Sequence, residues 1–301
     1  MKNQNLVERL VGLLKTVYSH PFNRRRPFFA LYRLIRWQWD KRVKSGPIIY
    51  EFWNCRKILC FKDATESMWL VYNYIMDWDE FWFIQRYLTS TMCVFDVGCN
   101  IGVYTLWISR FIGPEGRIIA FEPSGTAYQR CVQQMRLNHL ESVKVEPLAV
   151  ADREGEAHFS TGMDWNNHLI QDGAMRENFV IVHAVSLDHY CRERNVKKIH
   201  FMKIDIEGAE MLAFRGAHQL LSDHLIDVIQ FEVTDQLGSF GIQRSQLIQY
   251  LESHGYCICS YDLKENRLVP CIDHRSFKQN MYAAHDVDWV NERLQSGVSA
   301  H

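Results

Sequence analysis

One run, Val94-Phe95-Asp96-Val97-Gly98-Cys99-Asn100-Ile101-Gly102, constrains this chain more than any other stretch. Apolar residues 92–95 end in Asp96, glycines punctuate the next turn, and a helical pattern over 103–111 follows at once. A strand that turns through glycines into a helix is how an α/β sheet holds a nucleotide-like ligand at the carboxyl end of the strand. Gly98 can take a positive φ, and Gly102 leaves room beside the backbone.

The chain after this turn reads as alternation. Strand patterns over 117–121, 143–145, 199–204, 227–231, 256–261 and 281–284 are interleaved with helical patterns over 125–140, 209–221 and 243–254. Ser124 is placed to cap the first of these helices and Gly255 to end the last. Two further strand patterns, 156–160 and 179–185, flank a polar loop over 162–173. Such an order predicts a doubly wound, mostly parallel α/β sheet with helices on both faces.

The chain before the turn reads as an addition. Residues 1–46 carry eleven Lys or Arg against Glu8 and Asp40, a balance of +9 in a chain whose total is −1. Within it, Leu6, Leu10, Leu13, Leu14 and Val17 share one helical face, and Arg24-Arg25-Arg26 precede a mixture of Phe28, Phe29, Tyr32, Arg33, Arg36 and Trp37. Either this helix packs on the domain, or the segment is an interfacial element for an anionic membrane surface. No nucleic-acid motif accompanies it, so no nucleic-acid partner is expected. Residues 47–53 and 57–61 read as a hairpin, and 68–88 as aromatic helical turns over the ligand site, mostly core. The predicted organisation is a basic amphipathic extension over 1–46, a catalytic domain over 47–290 with its core at about 77–261, and a tail over 291–301.

Nine cysteines, an odd number, sit mostly in apolar runs, which reads as free thiols in a reducing, cytoplasmic setting, at the inner membrane surface if the basic segment binds lipid. No apolar stretch approaches the ~20 residues of a membrane span.

Acids fall at four strand ends: Asp96, Glu122, Asp205 and Glu232. Glu122, 24 residues after Gly98, can accept hydrogen bonds from both hydroxyls of a ribose, which implies a nucleoside cofactor. A dinucleotide site wants G-x-G-x-x-G so that the backbone can approach a pyrophosphate. Here Asn100 stands at the second glycine, which suits S-adenosylmethionine better than NAD.

Taken together, Val94 to Gly102, Phe121-Glu122-Pro123, Lys203-Ile204-Asp205-Ile206-Glu207-Gly208-Ala209-Glu210, Ser186-Leu187-Asp188 and Ile229-Gln230-Phe231-Glu232 resemble the FkbM-type S-adenosylmethionine-dependent methyltransferases. The K-I-D-x-E-G-A-E stretch is the most specific part, and Cys99 departs from the small residue usual there. The resemblance implies a Rossmann-like methyltransferase sheet and O-methylation of a small-molecule hydroxyl acceptor, often a sugar, glycolipid or natural product. It also implies that Asp96, Gly98, Asn100 and Gly102 frame the methionine end of the cofactor. Glu122 would hold the ribose, with Pro123 and an Ala149-Val150 turn flanking the adenine.

An alcohol needs a base or a metal to take its proton. Asp205 is the first candidate base and Glu207 the second, with Lys203 on the same side of the strand as Asp205. Glu210 reads equally as a structural charge in a helical first turn. Asp205 with Glu232 could hold Mg²⁺, or Glu232 could pair with Lys203. His168, in the polar loop, could face the substrate or act as the base, whereas His200 suits a core position. The competing reading is a non-catalytic, degenerate methyltransferase-fold binding protein acting through its basic N-terminal surface. The intact acids and glycines speak against it. Acceptor identity and oligomeric state carry no sequence signal.

Overall fold

The computed structural model describes residues 6–53, 56–75, 77–161, 168–170, 178–232, 235–271 and 280–296. The chain divides into two compact units, Met1–Phe81 and Trp82–His301. Most of the polar loop expected over 162–173 lies outside the described residues.

The first unit opens with three helices, α1 (Leu6–Ser19), α2 (Pro21–Arg25) and α3 (Pro27–Val43). Prolines start the second and third, where a missing N–H costs nothing. An antiparallel hairpin follows, β1 (Ile48–Phe52) with β2 (Arg56–Cys60), and then α4 (Thr65–Asn73). The hairpin therefore belongs to the same compact unit as the basic segment. Asn23 ties the unit together by donating to the carbonyls of Val17 (2.8 Å) and Tyr72 (3.0 Å). Arg33, buried on α3, donates to Asn23 Oδ1 and to the Tyr72 carbonyl.

After α5 (Trp78–Tyr87) comes the alternating region: β3 (Cys93–Val97), α6 (Val103–Ile108), β4 (Arg117–Phe121), α7 (Gly125–Leu137), β5 (Val143–Glu146), β6 (Ala149–Val150), β7 (Gly155–Ser160), β8 (Leu169–Ile170), β9 (Phe179–Val185), α8 (Leu187–Glu193), β10 (Ile199–Ile204), α9 (Glu210–Arg215), α10 (His218–Ser222), β11 (Ile226–Glu232), α11 (Arg244–Ser253), β12 (Cys257–Asp262), β13 (Arg267–Pro270), β14 (Asn280–Ala284) and α12 (Val287–Gln295). The large sheet has the order β13-β12-β14-β11-β10-β3-β4-β5. β5, β4, β3, β10 and β11 run parallel, and β14 runs antiparallel to both β11 and β12. This is the expected doubly wound α/β architecture.

The strand order reverses between β3 and β10: the chain first steps outward to β4 and β5, then returns to the other side of β3. Such a switch point leaves a crevice at the carboxyl ends of the two strands. The site described below lies there.

Two features depart from the sequence expectation. The strand patterns around 156–160 and 179–185 do not join the large sheet; with β6 and β8 they form a second sheet, β6-β9-β7-β8. The helix expected over 209–221 breaks in two at Gly216-Ala217. A Cβ at Gly216 would stand 2.0 Å from the Ala151 carbonyl oxygen, so the chain can pass only as glycine. The Gly216 carbonyl accepts from Asp188 N–H (2.8 Å), while the Asp188 carboxylate accepts from the N–H groups of Gln219 (2.8 Å) and Leu220 (3.0 Å) and so caps α10.

The core under the large sheet is aliphatic and aromatic, with Phe95, Phe121, Met202, Ile204, Phe214 and Phe231 nearly or wholly inaccessible. The aromatics of α5 serve that core: Phe83 lies 4.4 Å from the Tyr282 ring centre, and the Tyr87 hydroxyl donates to the His200 carbonyl (3.1 Å). His200 Nδ1 accepts from Cys93 N–H (3.0 Å), which fits its expected structural place. All eight described cysteines are free thiols. Among the described residues no helix is long and apolar enough to cross a membrane.

Candidate active site

Asp96 is the penultimate residue of β3 and is fully inaccessible. Its Oδ2 accepts a 2.6 Å bond from Thr105 Oγ1 on α6, while Oδ1 is buried with no hydrogen-bond partner. Burial raises its pKa against the opposing charge of Lys203 and the Thr105 bond.

The turn that follows is shaped by its neighbours. Gly98 has φ +83°, and a Cβ there would stand 1.9 Å from the Asp205 carbonyl oxygen. The two strand ends at the switch point thus meet backbone to backbone, which only glycine permits. Gly102 has φ +87°, and a Cβ there would reach Cys131 Sγ at 2.7 Å. The room expected beside Gly102 is therefore occupied by α7, and the glycine is required by that packing. Asn100 occupies the left-handed region at φ +48°, a conformation its short polar side chain tolerates.

Glu122 links the turn after β3 to the end of β4. One carboxylate oxygen accepts from Asn100 N–H (2.9 Å) and the other from Ser124 N–H (2.8 Å). Each oxygen keeps a lone pair for another donor. Burial pushes the pKa up to about 7, although the two backbone bonds favour the charged form. Pro123 is half-buried beside it. The expected Ala149-Val150 turn is instead β6, paired in parallel with β9, and both side chains are core residues; Pro147 and Leu148 are the more accessible residues of that link.

On the other side of the crevice, Lys203 is buried and donates to Asp205 Oδ2 at 2.9 Å. Its ammonium also lies 4.3 Å from the centre of the Tyr104 ring, a cation–π contact. The Asp205 side chain keeps 35% of its exposure. Against the cost of burial, the Lys203 charge and the bonds from Lys203 and Glu232 hold its pKa below the ordinary value. Glu232, at the end of β11, is raised to about 8 by burial and by the charges of Asp205 and Glu207. Asp205 and Glu232 thus share one proton at neutral pH, and Glu232 keeps it.

Glu207 has φ +53°, costly for a residue with a Cβ. Glu210 holds it there. Its carboxylate accepts from the N–H groups of Ile206 and Gly208, both at 3.2 Å, one on either side of Glu207. Burial, then the charges of Asp205 and Glu210, push Glu207 up to about 7. Glu210, itself buried, is likewise raised to about 7.

The geometry therefore gathers Asp96, Gly98, Asn100, Glu122, Lys203, Asp205, Glu207 and Glu232 at adjoining strand ends. His168 immediately precedes β8 of the second sheet, where its N–H donates to Ser160 Oγ (2.9 Å) and its carbonyl accepts from Ser160 N–H (2.8 Å). Tyr104, Thr105 and Cys131 were not singled out from the sequence. The first two were findable, since they fall in the first turn after the glycine loop; Cys131 is distant in sequence and carries no signal.

Asp205 and Glu232 do not fit Mg²⁺: the buried Lys203 ammonium already occupies Asp205 Oδ2 at 2.9 Å, where a dication would meet a fixed positive charge. Among the described residues no group of three or more His, Cys, Asp or Glu side chains is arranged to hold a metal.

The family described as the methyltransferase FkbM domain matches residues 96–258, just over half the chain, from the first strand-end acid to the β12 strand. This chain belongs to the FkbM methyltransferases. Among curated relatives, "Methyltransferase 1" of Beauveria bassiana is 27% identical over 185 residues, 55% of this chain and 72% of that protein. The "2-O-methyltransferase NoeI" of Sinorhizobium fredii is 27% identical over 147 residues, 43% of this chain and 58% of that protein. A solved FkbM methyltransferase from Methylobacillus flagellatus shares 15% identity at a TM-score of 0.44, covering 65% of this chain and 44% of that one. The matched FkbM region contains every strand-end acid of the site.

Proposed function

We propose that this methyltransferase uses S-adenosylmethionine to methylate a hydroxyl of a small acceptor such as a sugar, glycolipid or natural product. The observation that carries the reading is an unpartnered buried acceptor, Asp96 Oδ1, at the end of β3 beside the doubly anchored Glu122 carboxylate at the end of the neighbouring β4. The two suit opposite ends of the cofactor: Asp96 and the Gly98–Gly102 turn its amino-acid end, Glu122 its ribose. When bound, that cofactor supplies an electrophilic methyl group on a sulfonium.

The chain's own residues supply alignment and proton removal. Asp205, held ionised by Lys203, is a weak base at neutral pH. Glu207, raised to about 7, is poised to take the hydroxyl proton as the new C–O bond forms. Glu210 acts as a positioning residue by clamping the peptides on either side of Glu207. The printed name of the Sinorhizobium relative, a 2-O-methyltransferase, supports oxygen as the atom methylated. The proposed setting is the cytoplasm.

The test is transfer of a labelled methyl group from S-adenosylmethionine to a panel of sugar and glycolipid hydroxyls. Label in an acid- and base-stable ether is expected. Label confined to nitrogen or carbon of the acceptors would contradict the reading.

A further inference from the structure

The α3 helix has two unlike faces. Ala30, Arg33, Leu34, Trp37 and Asp40 are buried. On the opposite face Phe28 (87% exposed), Tyr32, Ile35 (58%), Trp39 (66%) and Val43 recur three or four residues apart and stand in solvent, with Leu31 beside them. Three- and four-residue spacing puts these side chains in one stripe along a helix. Contiguous exposed apolar surface of this kind marks an interaction site.

The inner face fixes the rotation of the helix. Arg33 is fixed on the inner face by Asn23 and the Tyr72 carbonyl, and its guanidinium faces the rings of Phe22, Phe29 and Tyr74. Asp40 on the same face accepts from the Tyr50 hydroxyl (3.0 Å). Rolling the stripe inward would expel both groups from their partners.

Charge identifies the occupant. Arg24, Arg25 and Arg26 are exposed just before the stripe, Arg36 and Arg42 flank it, and Lys44 follows it. Between residues 20 and 46 the sole acid is Asp40, and it lies buried beneath Arg36 (3.6 Å) and Lys44 (3.1 Å). A helix that presents aromatic and aliphatic side chains between basic groups, with no exposed acid, matches the boundary between acyl chains and anionic headgroups.

We propose that the outer face of α3 docks on an anionic lipid bilayer, lying in the plane of the interface with Phe28, Ile35 and Trp39 inserted and the arginines at headgroup level. The sequence gives an interfacial role to residues 1–46 as a whole, with the apolar face of residues 6–17 as one part of it and the basic and aromatic mixture that follows as the other. Of the side chains described on that apolar face, Val17 is buried and Leu13 and Leu14 are half-buried, so the exposed stripe belongs to α3.

The full-length protein would be sedimented with vesicles of phosphatidylcholine alone and of phosphatidylcholine mixed with phosphatidylglycerol. Pelleting on the mixed vesicles, weakened by salt, is expected. Ile35→Ser with Trp39→Ser should lower the partition coefficient by roughly tenfold or more, and Arg25→Gln and Arg26→Gln by about fivefold each. Thermal melting should be unchanged in every variant, since all four side chains are exposed. Absence of pelleting on anionic vesicles, or equal pelleting of wild type and the Ile35/Trp39 variant, would overturn the proposal. So would a solution dimer without vesicle binding that the same variant dissociates, because the face would then belong to a second copy.

Discussion

Glu207 and Glu122 illustrate how a single physical term, burial of a carboxylate, serves two different ends. Both are raised to about 7, but Glu122 is anchored by two backbone N–H groups and Glu207 by none that the structure records at its carboxylate. In the proposed mechanism Glu122 accepts from ribose hydroxyls and Glu207 accepts a proton in the reaction. A base must be ionised, so kcat is expected to rise with pH through about 7 and then level off. Glu207→Gln should lower kcat by roughly 10²–10⁴ and remove that limb, while leaving S-adenosylhomocysteine affinity near wild type. A Glu207→Gln enzyme with an unchanged pH profile would assign the base elsewhere. Glu210→Gln is expected to act through Glu207: the turn loses an ionised clamp, and kcat falls more than cofactor affinity.

The acids were legible in the sequence because strand ends announce themselves by pattern. Their roles were not. Lys203 and Asp205 were placed on one side of a strand by alternation, but only the 2.9 Å bond shows that Lys203 keeps Asp205 ionised and so disfavours the first-ranked base. The reason for Gly102 was equally hidden, since Cys131 approaches it from another helix.

At the scale of elements, the decisive contact is the meeting of β3 and β10 at the switch point. Asp205 N–H donates to the Val97 carbonyl (3.0 Å), and Gly98 lies against the Asp205 carbonyl. Gly98→Ala is expected to cost about 2–4 kcal/mol, because the new Cβ must displace backbone rather than a side chain and φ stays positive. Chemical denaturation should show that loss, and cofactor binding should fall with it. A stability equal to wild type would mean that the two strand ends are not held this closely. The order of parallel strands and their crossover helices could be read from alternating patterns. The second sheet could not, because pairing between β6, β7, β8 and β9 depends on long-range register that short strand patterns do not encode. The break between α9 and α10 was invisible for a similar reason: its cause is Ala151, far away in sequence.

For the whole molecule, the site is a stability liability in the absence of ligand. Glu122, Glu207 and Glu210 are raised to about 7 and Glu232 to about 8, each from 4.5. Between those limits the folded protein binds protons that the unfolded chain has released. Stability should therefore fall as pH rises across this window. Asp205 is shifted downward, so its opposite contribution is lost only below its ordinary value of 3.8, outside the window. Melting temperatures measured from about pH 5.5 to 8.5 should decline, and Glu232→Gln should raise the value at the alkaline end, by roughly 2–4 °C per kcal/mol relieved. A flat profile would mean that these carboxyls ionise as they do in water.

In the proposed function S-adenosylmethionine lies over the carboxyl ends of β3 and β4 at the switch point, held by Asp96 and Glu122. Isothermal titration of the full-length protein with S-adenosylhomocysteine, beside Glu122→Ala, tests it most directly. Binding on the order of micromolar Kd is expected, reduced by roughly 10² or more in the variant as both ribose hydroxyl bonds are lost. No heat of binding from folded wild-type protein, or equal affinity in Glu122→Ala, would contradict it.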